Sequence, residues 1–198
     1  MFTPQQTISR DLGNGLVIRH ANLADADSLC EFNARILGEE ECDRKGVVAW
    51  TRDLLTCPHA TFHPEDLIIV EETSTGRIVS SMCLIPQTWS YEVVEFGVGR
   101  PELVGTLPEF RGRGLIQAQF DEVHRWSAER SLLVQAGTGI RTYFRKLGYE
   151  YALNLNRERM GSTVPRLKDG EQEKYATRPA QESDIPFLMS TYEYGSSR

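Results

Sequence analysis

The spacing of apolar residues along this 198-residue chain changes several times, and each change marks a predicted element. In the first amphipathic segment Leu29 and Phe32 share one face, with polar residues between them, and this spacing is typical of a helix packed on a core. Four segments carry this helical pattern: residues 24–37, 47–55, 115–129 and 140–147.

Between these helices the chain is rich in β-branched residues and predicts strands. Residues 66–71 are almost continuously apolar, and the turn sequence Ser74-Thr75-Gly76-Arg77 joins them to the next apolar run, so the pair predicts a hairpin. The predicted strands are residues 16–20, 66–71, 78–85, 92–96, 102–107, 132–134 and 149–155.

The end of the chain repeats part of its beginning. Residues 157–174 are polar, contain Gly and Pro and have no period, so they predict a linker. After it, three residues recur 159 positions after their first occurrence, namely Arg19, Asp25 and Leu29 as Arg178, Asp184 and Leu188. Coincidence between short segments is one interpretation. The other is a second copy of the domain that begins near Tyr175.

Composition narrows the class of protein. Hydrophobic residues make up 40% and the net charge is −6, so a core can be buried and a basic surface for nucleic acid is not expected. No apolar stretch is long enough to span a membrane, and because the first ten residues are mostly polar we expect no signal peptide. The four cysteines form no C-x-x-C pair, and Cys30 and Cys83 lie in apolar patterns, so we expect a cytoplasmic protein.

One segment carries a candidate chemistry. Residues 103–116 read as the end of a strand, the turn Arg111-Gly112-Arg113-Gly114 and the start of a helix. Glycines let the backbone approach an anion closely, and the helix N-terminus offers unpaired N–H donors, so the pattern favours pyrophosphate binding. The G-K-[ST] end of a P-loop and the G-x-G-x-x-G spacing of a dinucleotide fold are both missing. An RNA-binding Arg-Gly segment and a plain tight turn are the alternatives.

The same turn resembles motif A of the GNAT acetyltransferases, [QR]-x-x-G-x-[GA], with Arg111 and Gly114 in the first and fourth places. Ile116 stands where that family has Gly or Ala. Residues 143–149, Tyr-Phe-Arg-Lys-Leu-Gly-Tyr, resemble the family's F-Y-x-K-L-G-F segment, and the order of elements over residues 16–155 resembles its plan. The resemblance implies an α/β (α+β) fold, with a mixed central sheet flanked by helices.

By the same resemblance the cosubstrate is acetyl-CoA and the acceptor is an amine. A β-bulge would open a slot beside the strand at residues 102–107, and the pantetheine arm would lie in it. Glu102 is the candidate base, and Tyr143 the candidate acid, one place before the family's tyrosine position, which here is Phe144. The implied cofactor-binding residues are Val104, Gly105, Thr106, Arg111, Gly112, Arg113, Gly114, Leu115 and Ile116.

No metal is expected. Cys42, Cys57, His59 and His63 match no standard zinc spacing. Three aromatic residues are candidates for the acceptor pocket, although aromatic residues more often belong to a core: Trp50, Trp89 and Tyr91.

The repeat resembles the enhanced-intracellular-survival type of GNAT protein, which carries two such domains. This resemblance predicts an acyltransferase domain over residues 1–160, a linker over 161–174 and the start of a second copy of the domain over 175–198. We expect an N-acyltransferase that acts on a small-molecule or peptide amine. A GNAT-fold domain that binds CoA without turnover is the alternative, and a homo-oligomer is left open.

Overall fold

The computed structural model describes residues 9–139, 141–152 and 178–196. The chain divides into two compact units, Met1–Tyr149 and Glu150–Arg198, which are described separately. Its helices are α1 (Ala26–Leu37), α2 (Glu41–Thr56), α3 (Leu115–Glu129), α4 (Arg141–Arg145) and α5 (Ile185–Ser196). None of the helices described is long and apolar enough to cross a membrane.

The first unit contains one mixed sheet whose strands lie side by side in chain order. Neighbouring strands are antiparallel, except that β5 and β6 are parallel. The strands are β1 (Ser9–Gly13), β2 (Leu16–His20), β3 (Leu67–Glu72), β4 (Arg77–Tyr91), β5 (Val94–Thr106) and β6 (Val134–Gln135). This mixed sheet with flanking helices confirms the predicted fold class.

Helices cover both faces of the sheet. Consecutive residues of a strand point to opposite faces. In β4 the hydroxyl of Ser81 donates to Asn33 of α1, whereas the hydroxyl of its neighbour Ser80 donates to Gln119 of α3. The two helices therefore lie on opposite faces. This explains why the central strand β3 starts with the fully buried run Leu67–Val70, which shows no alternation of polar residues.

The largest difference from the sequence prediction is in β5. The predicted strands at residues 92–96 and 102–107 are parts of one continuous strand, Val94–Thr106, because the glycines between them do not end it, and residues 92 and 93 form the turn before it. A Cβ at Gly99 would lie 2.8 Å from Leu84 Cδ1, and one at Gly97 would lie 2.9 Å from Leu132 Cδ2. These glycines therefore permit close packing on the strand instead of forming a turn.

Other boundaries also moved. The strand β1 was not predicted, and it pairs with β2 through the turn at residues 13–15, where Asn14 has a φ of +54°. The helix α2 starts at Glu41, six residues before the predicted start at residue 47, because polar residues that carry no apolar period form its first turns. The predicted extents of β2 and α3 are confirmed.

The predicted last strand at residues 149–155 is not found over residues 149–152, and the remainder lies outside the described residues. Tyr149 instead packs its ring against Phe120, at 5.7 Å between centroids, and against Phe144, at 5.3 Å. Its hydroxyl donates to the side chain of Gln135. These contacts explain the partial burial of Tyr149 without a strand.

The second unit contains α5, which follows a short 3-10 turn at Glu182–Asp184. Arg178 donates to both carboxylate oxygens of Asp184, at 2.6 and 2.7 Å. In the first unit Arg19 donates to both oxygens of Asp25, at 2.8 and 2.7 Å, ahead of a 3-10 turn and the 12-residue helix α1. The repeat in sequence is thus also a repeat in local geometry. The linker predicted at 161–174 lies outside the described residues.

Candidate functional site

A slot opens beside the second half of β5. The strand pairs with β6 only at Val98–Val134 and Gly99–Gln135, so from residue 102 onward one edge of β5 has no partner strand among the described residues. Leu107 N–H bonds back to Val79 of β4, and backbone groups alternate between edges. Val104 therefore directs its N–H and C=O into the slot.

A β-bulge lies at the same point of β5. Gly105 pairs with Ser81 and Glu102 pairs with Cys83, so β5 carries one residue more than β4 in this interval. Leu103, in the bulge, has a φ of +53°, which is the left-handed region that a leucine rarely adopts. The bulge that the resemblance implied is therefore present.

The turn after β5 leads into the N-terminus of α3. Gly112 and Gly114 have φ values of +75° and +76°, and a Cβ at either position would meet no atom within 4 Å. Both glycines are needed for their backbone conformation, and the space beside them is open. The first N–H groups of α3 have no partner inside the helix, and Gly114 provides no capping side chain, so these donors are available to an anion.

The two arginines of the turn have different surroundings. Arg111 Nε donates to the carbonyl of Thr106, at 3.3 Å, which holds its guanidinium at the end of β5. The guanidinium of Arg113 lies 4.6 Å from the centre of the Phe110 ring and donates to the carbonyl of Glu109. Arg113 thus stacks on the turn.

A cavity of about 880 Å³ joins the slot to the turn. It is lined by all the residues that the resemblance implied, with the exception of Arg113. Those lining residues are Glu102, Val104, Gly105, Thr106, Arg111, Gly112, Gly114, Leu115, Ile116 and Tyr143. The fold therefore brings residues from β5, α3 and α4 around one space.

The carboxylate of Glu102 is held in place by its neighbour on β5. Arg100 donates to Oε1 of Glu102 at 2.5 Å, and the Glu102 side chain is 17% exposed. The pair fixes one carboxylate oxygen and orients the other. Glu102 is thus an oriented carboxylate at the cavity, where sequence reasoning had left open a solvated strand-edge position.

Tyr143 and Phe144 take different positions on α4. Tyr143 is 40% exposed, and burial of the rest of the side chain raises the pKa of its phenol above the usual value. The Phe144 ring packs edge-on against Phe120, with 5.9 Å between centroids, and a Cβ at Gly139 would clash with it. Phe144 therefore has a packing role beside the cavity, and among the described residues Tyr143 presents the one phenol that lines it.

Sequence reasoning missed most of the cavity's other wall. The contributing residues are Ile36 and Leu37 of α1 and Val47 and Trp50 of α2, together with Lys146 after α4. Only Trp50 had been named, as one of three aromatic candidates, and Trp89 and Tyr91 do not line this cavity. Amphipathic spacing indicates which face of a helix is apolar, but it does not reveal that the face ends over a cavity.

Over the described residues, no group of three or more Cys, His, Asp or Glu side chains could hold a metal ion. All four cysteines are free thiols, with Cys30 and Cys83 buried and Cys42 and Cys57 exposed.

The geometry suits a long, anionic ligand such as CoA. The glycine turn and the free N–H groups of α3 fit a pyrophosphate, with Arg111 beside it. The open edge of β5 offers the backbone N–H and C=O of Val104 to an extended amide chain, in the manner of an added strand.

Comparison with known sequences decides the family. A sequence profile described as "Acetyltransferase (GNAT) domain" matches residues 18–152, which is more than half of the chain. The chain belongs to the GNAT acetyltransferase family. A search among curated proteins finds no match.

Many solved GNAT structures share the fold of this acetyltransferase domain. An acetyltransferase from Trypanosoma brucei is 20% identical, with 72% of this chain and 97% of that one covered and a TM-score of 0.53. The aminoglycoside N-acetyltransferase AAC(6')-Iy in complex with CoA is 17% identical, with 80% and 99% covered and a TM-score of 0.55. A GCN5-related N-acetyltransferase from Kribbella flavida is 18% identical, with 68% of this chain but only 33% of that chain covered and a TM-score of 0.53.

Proposed function

We propose that this GNAT protein is an N-acyltransferase that moves an acetyl group from acetyl-CoA to the amine of a small molecule or peptide. The observation that carries the proposal is the single cavity in which the open edge of β5, the glycine turn before α3 and the side chains of Glu102 and Tyr143 meet. Family membership supports acyl transfer in general. The choice of acetyl-CoA as the donor and of an amine as the acceptor rests on the shape and lining of the cavity.

Acetyl-CoA binding is supported by two neighbouring features. The N-terminus of α3 and Arg111 would bind the pyrophosphate, and Val104 would pair with the pantetheine arm through its backbone. This arrangement would bring the thioester to the bulge at Leu103, beside Glu102. One related structure, the aminoglycoside N-acetyltransferase, holds CoA.

Glu102 is proposed to accept the proton that the amine loses as its nitrogen bonds to the thioester carbonyl carbon. Because Arg100 donates to Oε1, the second oxygen, Oε2, is the one that would accept the proton. The acceptor attacks as a neutral amine, because an ammonium group has no lone pair to form the bond, so a single proton leaves the nitrogen during the reaction and Glu102 accepts it.

Tyr143 is proposed to donate a proton to the sulfur as the carbon–sulfur bond breaks, so that free CoA leaves as a thiol. Burial raises the pKa of this phenol, so it stays protonated at neutral pH and can act as the acid. The acetyl group then remains on the acceptor nitrogen as an amide, and the two proton transfers balance.

A second candidate is a domain that binds CoA without turnover. The ion pair between Arg100 and Glu102 favours it, because the guanidinium already occupies one of the two carboxylate oxygens. The departure at Ile116, where the family has a small residue, also favours it. We further propose a cytoplasmic location, which the four free thiols support.

The test combines binding and turnover. Calorimetry with acetyl-CoA measures the Kd, and release of free thiol is followed across small-molecule amines and peptides, with mass spectrometry of the acetylated product. Binding with amine-dependent thiol release supports the enzyme. Binding without release supports the second candidate, and no binding at all contradicts both.

A further inference from the structure

A chain of buried polar side chains runs from the helices to the bulge of β5. Asn33 Nδ2 on α1 donates to Thr51 Oγ1 on α2 at 3.2 Å. The Ser81 hydroxyl on β4 shares its one proton between two acceptors, Asn33 Oδ1 at 2.6 Å and the carbonyl oxygen of Leu103 at 3.2 Å. Three elements are thus connected to the one residue of β5 that has a left-handed backbone.

None of the three side chains is exposed, and none lines the cavity. Thr51, Asn33 and Ser81 each have 0% of their surface exposed. An apolar core would be the simpler way to pack these elements, because a buried polar group is costly unless it is hydrogen-bonded. A connected polar chain instead specifies one arrangement of the elements that it joins.

The bulge determines where Glu102 points. Thr106 and Gly105 pair with consecutive residues of β4, but the interval from Gly105 to Glu102 contains one residue more than the matching interval from Ser81 to Cys83. One extra residue in a strand moves the side chains of the residues before it to the opposite face of the sheet. Without the bulge, Glu102 would share a face with Val104 instead of lying on the face of Cys83.

The bulge also needs support. A leucine in the left-handed region is disfavoured, and it persists only where the surroundings hold it. The contact that the chain makes at this residue is the Ser81 hydroxyl at its carbonyl oxygen.

We propose that Thr51, Asn33 and Ser81 are positioning residues that hold the β5 bulge and thereby aim Glu102 and the backbone of Val104 at the thioester. This inference rests on the proposed function. The three side chains act through Leu103 and do not touch substrate. The prediction is that their loss lowers kcat far more than it weakens CoA binding, since the phosphate turn is a separate element.

The test uses Ser81→Ala and Thr51→Val in the full chain. We expect kcat to fall at least tenfold while the Kd for CoA changes less than threefold. Hydrogen–deuterium exchange over residues 100–106 supplies a readout that needs no activity, and we expect faster exchange there in both variants.

Cys30→Ala is the matched control. Cys30 is a buried residue of α1 that bonds to the carbonyl of Val48 on α2 and lies outside the chain and the cavity. We expect it to lower the thermal midpoint without faster exchange at residues 100–106. Unchanged exchange in folded Ser81→Ala, or equal acceleration in Cys30→Ala, overturns the inference. If the exchange result holds and the wild-type chain releases no thiol from acetyl-CoA, the proposed function fails while the positioning of the bulge stands.

Discussion

Ile36 of α1 lies directly over Gly105 of β5, so close that a Cβ on the glycine would be 2.6 Å from Ile36 Cγ2. Both residues line the cavity. The absence of a side chain at residue 105 thus lets the helix approach the strand that would hold the pantetheine arm.

We therefore expect Gly105→Ala to lower the free energy of unfolding by about 1–3 kcal/mol, because the added methyl overpacks the contact. The double variant Ile36→Ala with Gly105→Ala removes the clashing Cγ2, and it should destabilise less than the two single changes added together. Denaturant unfolding of the four proteins measures this coupling. If the losses of unfolding free energy in the two single variants simply add up in the double variant, the protein relieves the clash without moving Ile36.

Gly112 and Gly114 should matter for CoA and not only for folding. Changing either to Ala places a Cβ on a left-handed backbone, at a cost of about 1–2 kcal/mol in stability. It also crowds the phosphate turn, so we expect the Kd for CoA to rise at least tenfold in calorimetry.

Gly76→Ala is the control for this strain. Gly76 has a φ of +70°, its added Cβ also meets nothing within 4 Å, and it lies in the turn between β3 and β4 away from the cavity. We expect a similar loss of stability with an unchanged Kd. Similar Kd values in all the variants would argue against pyrophosphate binding at the turn.

Tyr143→Phe removes the proposed acid without changing the shape of the ring. We expect kcat to fall about 100-fold, with the Kd for acetyl-CoA within threefold of the wild-type value. An acid acts while it is protonated, and burial raises the pKa of this phenol above the usual 10.0. The phenol should therefore lose its proton at a higher pH than an ordinary tyrosine, and the ratio of wild-type to variant kcat should stay constant around neutral pH.

Tyr91→Phe is the matched control, since Tyr91 lies at the end of β4 and does not line the cavity. A full kcat in Tyr143→Phe would exclude proton donation by this phenol and would leave Glu102 as the only proposed proton-transfer group.

We propose that residues 178–196 begin a second copy of the fold, as their 159-position offset and the repeated Arg–Asp geometry indicate. Leu29 of α1 is fully buried, and its counterpart Leu188 is 50% exposed. Leu29→Glu should therefore destabilise the first unit by about 3 kcal/mol or more. Leu188→Glu should leave the thermal midpoint of the first unit and its binding of CoA unchanged.

Thermal unfolding and calorimetry on the full chain compare the two substitutions directly. If Leu188→Glu lowers the midpoint of the first unit as Leu29→Glu does, the segment belongs to that unit's core and the repeat interpretation is wrong.

The local chemistry of the site could be predicted because it is contiguous in the chain. The turn with Gly112 and Gly114 and the helix after it depend on backbone conformation and helix-end donors, which neighbouring residues determine. The start and end of α3 were predicted correctly for the same reason. The bulge at Leu103 and the splayed edge of β5 came from resemblance to a family, because no local signal marks either of them.

Only the tertiary structure decided which residues share the cavity. Gly97 and Gly99 fall between two predicted strands, but packing against other elements makes them part of one strand. The turn sequence does not distinguish Arg111 from Arg113, and the ring of Phe110 decides which of them stacks away from the cavity. These outcomes depend on contacts between residues far apart in the chain, and such contacts form only when the helices and the sheet pack together.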